Sequence, residues 1–204
     1  MKNLFIIIVL LFFMNSLNAD IARPNNSCYW VKPGRLLAGE TPGQYPEYVD
    51  GKMQEVPFDN QKIKNKIGKY FEAGITFFLN LTSPVDSKPY DILLQEEANF
   101  RKINVEHKRM LIIDGTTPTK IFMKAILDVI DKALQKGHNV YVHCGAGIGR
   151  TGTVVGCYLK RHGMTSEQAI NQIAQWWSAV AKSKIFPQSP YPNQIEFIKN
   201  YSEN

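Results

Sequence analysis

The chain has 204 residues, 44% of them hydrophobic, with 24 basic and 18 acidic side chains and a net charge of +6. That is enough apolar content for one globular domain with its own core. The basic residues are spread along the chain, which excludes a nucleic-acid-binding stripe, three cysteines exclude a disulfide framework, and no internal repeat or low-complexity tract is present.

Residues 1–19 read as an export signal. Lys2 supplies the positive start, Leu4 to Met14 is unbroken apolar, and Asn15-Ser16-Leu17-Asn18-Ala19 ends in a small residue, so cleavage is expected after Ala19. The apolar run is too short to cross a bilayer as a lone helix, and an uncleaved anchor is the alternative. No cysteine lies next to the cleavage site, so no lipoprotein signal is expected. The folded domain is then residues 20–204, exported to a periplasm or secreted, with no stable membrane span of its own.

Asp20 to Pro33 is polar and loop-like, with one aromatic pair, Tyr29-Trp30. Gly34 to Gly39 reads as a turn into a short strand, and Glu40 to Phe58, rich in Gly, Pro and Tyr, as a long loop or helical turn. Asn60 to Phe71 has a helical pattern with Ile63, Ile67, Tyr70 and Phe71 on one side, stopped by Gly74. Ile75 to Leu81 is a buried strand, so helix, glycine and strand make an α/β unit. Thr82 to Pro89 is a loop, Tyr90 to Phe100 a short helix, and Asn104 to Ile113 a strand with polar interruptions. The spacing of Ile121, Phe122, Ala125, Ile126, Val129, Ile130 and Leu134 predicts a helix over 119–136 with these residues on its core face. Thr165 and Gln168 form a capping box that opens a helix running to about Val180, and Pro192 to Tyr201 is the last helix. The fold class is α/β: one domain whose central, mostly parallel sheet of about four to five strands is flanked by helices.

One stretch organises the rest. His143-Cys144-Gly145-Ala146-Gly147-Ile148-Gly149-Arg150-Thr151-Gly152 follows the apolar run Asn139 to Val142 and precedes the apolar helical segment Thr153 to Leu159, which Gly163 ends.

 That reads as strand, tight loop, helix. Glycines let backbone N–H groups turn inward and approach a ligand closely, and the start of the following helix adds its own unpaired N–H donors. Arg150 supplies a planar fork for two phosphate oxygens. A cysteine in that positive field attacks as the thiolate, so Cys144 at the base of the nest is suited to in-line attack on phosphorus. Gly145, Ala146, Gly147, Ile148, Gly149 and Arg150 are the expected phosphate-binding positions. His143 ends the strand and is expected to hydrogen-bond near the cysteine rather than act as a general base.

Cleaving a phosphate ester also calls for a proton donor to the leaving oxygen. Asp114, in Ile113-Asp114-Gly115-Thr116-Thr117-Pro118, follows a strand and precedes the helix that leads back to the cysteine strand. Asp86 is its rival, because its loop also follows a core strand.

His-Cys-x5-Arg-Thr-Gly at 143–152 resembles the signature of the cysteine-dependent protein tyrosine phosphatase superfamily, nearest to its compact dual-specificity branch. Asp-Gly-x-Thr-Pro at 114–118 resembles the general-acid loop of the cyclin-dependent-kinase-associated type, and Trp30 to Gly39 is similar to the entry segment of small dual-specificity phosphatases. The resemblance implies a protein tyrosine phosphatase-like fold and a metal-independent phosphatase without a cofactor. It implies Cys144 as nucleophile, Asp114 as acid and then base, and Thr151 as the hydroxyl that helps the thiolate leave. Gln188 and Gln194 stand where classical members place a water-positioning glutamine, and either could equally be an exposed residue at a helix start. Expected substrates are phosphorylated proteins or small phosphomonoesters, which the mild positive charge would attract. A secreted inositol-polyphosphate phosphatase is the enzyme alternative, although the uncharged Gly145, Ala146 and Ile148 argue against polyanionic inositides. A non-catalytic phosphate-binding module and a rhodanese-like sulfurtransferase are the other readings.

Cys157 is expected in the core, and Cys28 is free or bridged to Cys144. Of the Asn-x-Ser/Thr sequences at Asn25, Asn80 and Asn200, Asn80 ends a buried strand where a glycan would not fit, which favours a bacterial export route.

Overall fold

Side-chain alternation along three short strands sets the architecture. The computed structural model describes residues 21–44, 46–49, 52–55, 57–84 and 90–203, so the expected signal segment 1–19 and Asp86 lie outside the described residues. The strands are β1 (Cys28–Lys32), β2 (Leu36–Glu40), β3 (Glu47–Val49), β4 (Lys52–Gln54), β5 (Phe77–Asn80), β6 (Glu106–Arg109) and β7 (Val140–Cys144). The helices are α1 (Asn60–Glu72), α2 (Asp91–Arg101), α3 (Lys120–Gln135), α4 (Gly149–Arg161), α5 (Ser166–Ser178) and α6 (Pro192–Asn200).

Five strands form the main sheet in the order β1-β2-β7-β5-β6. β2, β7, β5 and β6 run parallel, and β1 pairs antiparallel with β2 at one edge. Successive residues of a strand point to opposite faces. Leu36 and Ala38, Phe77 and Leu79, and Val140, Val142 and Cys144 therefore enter one core, with Ile126 and Ile130 of α3, Val154 and Val155 of α4, Trp177 of α5 and Ile198 of α6. Leu37, Phe78 and Tyr141 enter the other, with Ile63, Ile67 and Tyr70 of α1 and Leu93, Leu94 and Ala98 of α2. Burial on both faces is why β2, β5 and β7 read as continuous apolar runs, unlike the edge strand β6. α4 is buried from Gly149 to Leu159, and α3, α5 and α6 pack around it.

Several expectations are corrected. The segment read as a loop before Pro33 contains β1, which is buried from Cys28 to Val31 and so lacks the polar–apolar alternation of a half-exposed edge. The long loop expected over 40–58 begins with the last residue of β2 and carries the hairpin of β3 and β4. The strand expected over 104–113 is confined to β6; beyond it only the N–H groups of Met110 and Ile112, donating to the carbonyls of Asn80 and Leu81, follow the neighbouring strand toward the loop of Asp114. The face of α3 is also rotated: Met123, Ile126, Leu127, Ile130 and Ala133 are buried, while Ile121 is 85% exposed. Thr119 caps this helix, its Oγ1 accepting from the Phe122 N–H at 3.2 Å, so Ile121 lies in the first turn, beyond the end of the core.

The capping box is as expected: Thr165 Oγ1 accepts from the Gln168 N–H, and the Gln168 side chain accepts from the Thr165 N–H. Asn80 is buried, and its Oδ1 accepts from both the N–H and the hydroxyl of Thr82, leaving no room for a glycan. Cys28, Cys144 and Cys157 are all free. β2 lies between β1 and β7, so the backbones of Cys28 and Cys144 are about 9–10 Å apart at the least, beyond the reach of a disulfide. The two thiols also belong to opposite cores. No helix of the described residues is long and apolar enough to cross a membrane.

Candidate active site

The site forms at the C-terminal ends of the parallel strands. β7 ends on Cys144, the chain turns through Gly145 to Ile148, and α4 begins at Gly149. Gly147 has φ +77°, and a Cβ on it would come 2.6 Å from the backbone of Gly39 and Glu40. Only glycine lets the loop sit this close to β2 in that conformation. The Thr41 N–H donates to the Gly145 carbonyl at 3.1 Å, and the Thr151 hydroxyl to the Gly39 carbonyl at 3.4 Å. The end of β2 is thus the platform under the loop.

Glu40 fastens that platform. Its carboxylate meets Lys66 of α1 at 2.9 Å and Lys182 at 2.5 Å, and Lys66 also donates to the Thr41 carbonyl at 2.8 Å. Burial alone would raise the carboxyl pKa, but the two ammonium groups outweigh it and hold it below the usual value. A cavity of about 440 Å³ lies beside this ion pair, lined by Glu40, Lys62, Lys66 and Lys182 among others, and none of the motif residues faces it.

Arg150, in the first turn of α4, is only 2% exposed. Its Nη1 donates to the Ile112 carbonyl at 3.2 Å, and its Nη2 meets Asp114 Oδ1 at 2.9 Å. The Asp114 side chain itself is 67% exposed. Asp114 therefore reaches Arg150 from the rim while remaining open to solvent. A turn fixes its loop: both the N–H and the hydroxyl of Thr116 donate to the Ile113 carbonyl, and Gly115 takes φ +71°.

His143 is buried on the opposite side of β7 from Cys144. Its Nδ1 lies 3.2 Å from the Cys144 carbonyl and its Nε2 lies 2.6 Å from the Tyr90 hydroxyl. A carbonyl only accepts, so Nδ1 carries the hydrogen and Nε2 accepts from Tyr90. Burial pushes the imidazole pKa down to about 3, so the ring is neutral, with both nitrogens engaged.

Beyond the two glutamines, the turn before α6 contributes contacts that no sequence motif pointed to. The buried Ser189 hydroxyl donates to the Ile148 carbonyl at 2.9 Å. Asn193 Nδ2 donates to the Gly115 carbonyl at 2.9 Å, and Gln194 Nε2 to the Thr116 carbonyl at 3.2 Å. Gln194 Oε1 accepts from the Tyr191 N–H at 3.2 Å. Gln194 is thus fully buried, and both ends of its amide are used to hold the loop of Asp114 against α6, whereas Gln188 is exposed. The cluster Ser189-Pro190-Tyr191-Pro192-Asn193-Gln194 was the available signal, since a proline-rich turn ahead of a helix start commonly presents polar caps.

The arrangement is a backbone anion cradle with a sulfur at its base, a buried guanidinium at its side and a carboxyl group at its rim. A model for the family described as polymorphic toxin system, DSP-PTPase phosphatase, matches residues 53–164, more than half of the chain. The chain belongs to the cysteine-dependent protein tyrosine phosphatase superfamily, in its dual-specificity-like branch. Within that superfamily it is 31% identical over 174 residues to the dual specificity protein phosphatase CDC14AB of Danio rerio, covering 82% of the chain and 24% of the relative. It is 30% identical over 170 residues to the tyrosine-protein phosphatase cdc-14 of Caenorhabditis elegans, covering 82% and 21%. The chain therefore spans about a quarter or less of the length of these curated relatives. Among solved structures, Tk-PTP in its active form aligns with a TM-score of 0.62 at 17% identity over 87% of this chain and 97% of that one. PTPMT1 in complex with PI(5)P aligns with a TM-score of 0.60 at 20% identity, over 85% and 93%. At these identities the likeness is one of fold.

Proposed function

We propose that the chain hydrolyses phosphate monoesters of proteins, phosphotyrosine or dual-specificity in preference, through a phosphocysteine intermediate. The observation that carries this is the contact between Asp114 Oδ1 and Arg150 Nη2 at 2.9 Å, which puts a solvent-open carboxyl group beside the guanidinium of the anion cradle. Phosphoryl oxygens are held by the loop N–H groups from Gly145 to Gly149 and by the Arg150 fork, which they share with or take from Asp114. Cys144 Sγ bonds to phosphorus as the ester P–O bond breaks, and the Asp114 carboxyl proton goes to the leaving oxygen. Water then gives a proton to the Asp114 carboxylate and bonds to phosphorus. The S–P bond breaks, and phosphate leaves with the thiolate restored. Thr151 follows Arg150 in α4, and its hydroxyl, which donates to the Gly39 carbonyl in this structure, would turn to stabilise that departing sulfur. The chemistry is assigned to these side chains without a metal or cofactor.

The charge and apolar pattern of residues 1–19 supports an exported enzyme. N-terminal sequencing of the exported chain is expected to begin at Asp20, and an intact Met1 outside the cell would remove the cleavage assignment.

The function is tested by phosphate release without added metal, comparing the chain with Cys144→Ser and Asp114→Asn. Substrates are p-nitrophenyl phosphate, phosphotyrosine and phosphoserine peptides, and phytate. Release abolished by Cys144→Ser and lowered about 100-fold or more by Asp114→Asn is expected. Near-normal turnover in Asp114→Asn moves the acid to Asp86, and preferred turnover of phytate selects the inositol-polyphosphate reading. Tight phosphopeptide binding with no release from any substrate leaves a binding module.

A further inference from the structure

We propose that the ring of Tyr191 is a wall of the substrate pocket that selects aryl phosphate esters, phosphotyrosine above all, over alkyl ones. The proposal rests on the phosphatase reading of the Cys144 site and names a specificity residue for it.

Tyr191 caps α6 and lies between the two halves of the site. On one side its ring packs on the start of α4: a Cβ added to Gly149 would come 3.1 Å from Tyr191 Cδ2. Gly149 closes the phosphate loop, so the ring edges the cradle itself. On the other side, the first turn of α6 is tied to the acid loop through Asn193 to Gly115 and Gln194 to Thr116. Its backbone is fixed in turn by the Gln194 side chain. The ring is thus held from behind by a glycine and by a capped helix start, yet Tyr191 is 39% exposed. An exposed, pinned aromatic ring is costly to leave in water and cheap to use in binding, because only two side-chain torsions need ordering.

Electrostatics agree with this placement. Burial, and then the nearby charges of Asp114 and Cys144, raise the Tyr191 phenol pKa, so the ring meets substrate as a neutral plane close to both reacting groups. In-line attack by Cys144 sends the leaving group straight out of the cradle past the Asp114 rim. An aryl group leaving along that line has a flat face to set against Tyr191. The ester oxygen of phosphoserine is one methylene from its backbone and brings no such face. Ile113, next to Asp114 in the chain and 67% exposed, adds apolar surface to the same rim.

The test uses the full chain and paired peptides of one sequence bearing phosphotyrosine or phosphoserine. Variants are Tyr191→Phe, Tyr191→Leu and Tyr191→Ala, each checked for an unchanged melting profile. The ratio of kcat/KM for phosphotyrosine to phosphoserine is expected to fall about two- to tenfold in Tyr191→Leu and Tyr191→Ala, mainly through KM, and to be kept by Tyr191→Phe. Equal losses on both peptides, or a Phe variant as impaired as Ala, would overturn the proposal. Should the unaltered chain release no phosphate, it is the phosphatase reading that fails. The wall is then decided by peptide affinity in the Cys144→Ser background: a phosphotyrosine preference that Tyr191→Ala removes upholds it, and equal affinities overturn it.

Discussion

Gly147 and His143 lie on either side of Cys144 and affect the fold in opposite ways. Gly147 lets the loop approach β2 with a positive φ and no side chain between them. Gly147→Ala must both strain the backbone and push against the Glu40 N–H, so a loss of about 2–4 kcal/mol in stability is expected in urea unfolding, along with most of the phosphate release. His143 is a load on the fold at low pH. Its folded pKa is about 3, against 6.5 for the free side chain. Between these values the unfolded chain holds one proton more than the folded chain, so stability rises with pH through this window. The contribution is fully present above pH 6.5 and is lost as pH falls toward 3, by up to about 1.4 kcal/mol per unit. Half-buried His107, whose pKa burial also lowers, acts in the same sense. Urea midpoints measured from pH 4 to 7 are expected to show a shallower slope in His143→Asn; an unaltered slope would mean that the imidazole is protonated in the folded chain.

Among the elements, α3 tests how a helix face is chosen. Met123 and Ile121 sit two positions apart and so nearly on opposite sides of the helix. Met123→Ala should cost about 2–5 kcal/mol, while Ile121→Ala should stay within about 0.5 kcal/mol of the unaltered chain. Thermal unfolding of the pair measures this, and equal losses would restore the face expected from periodicity. α6 has a different duty. Its first turn holds the loop of Asp114 through Asn193 and Gln194, while Ile198 enters the core against α4, so one short helix links packing to the rim of the site.

For the molecule as a whole, this means that the site is not contained in the strand, loop and helix that carry its motif. β2 supports the phosphate loop from one side, Arg150 reaches the carbonyl of Ile112 and the carboxylate of Asp114, and the turn before α6 grips both loops. Ending the chain at Gln188 would remove Ser189, Gln194, Ile198 and Tyr201, all buried. Such a chain is expected to lose its cooperative thermal transition together with phosphate release. Retention of both would show that α6 is peripheral.

Cys144, the glycines and Arg150 were legible in the sequence because the chemistry of an anion loop depends on consecutive residues, and the chain itself keeps those together. The parallel sheet was legible for a similar reason: strands buried on both faces leave apolar runs that need no partner to be seen. Other features depended on what packs where. β1 looked like loop because its burial comes from helices far along the chain, and the face of α3 turned because Ile121 lies beyond the core that periodicity alone assumed. The carboxylate of Asp114, the lysines that clamp Glu40 and the amide of Gln194 meet partners distant in sequence. No local pattern encodes those meetings, since they arise only when the ends of β2, β6 and β7 and the start of α6 converge around one loop.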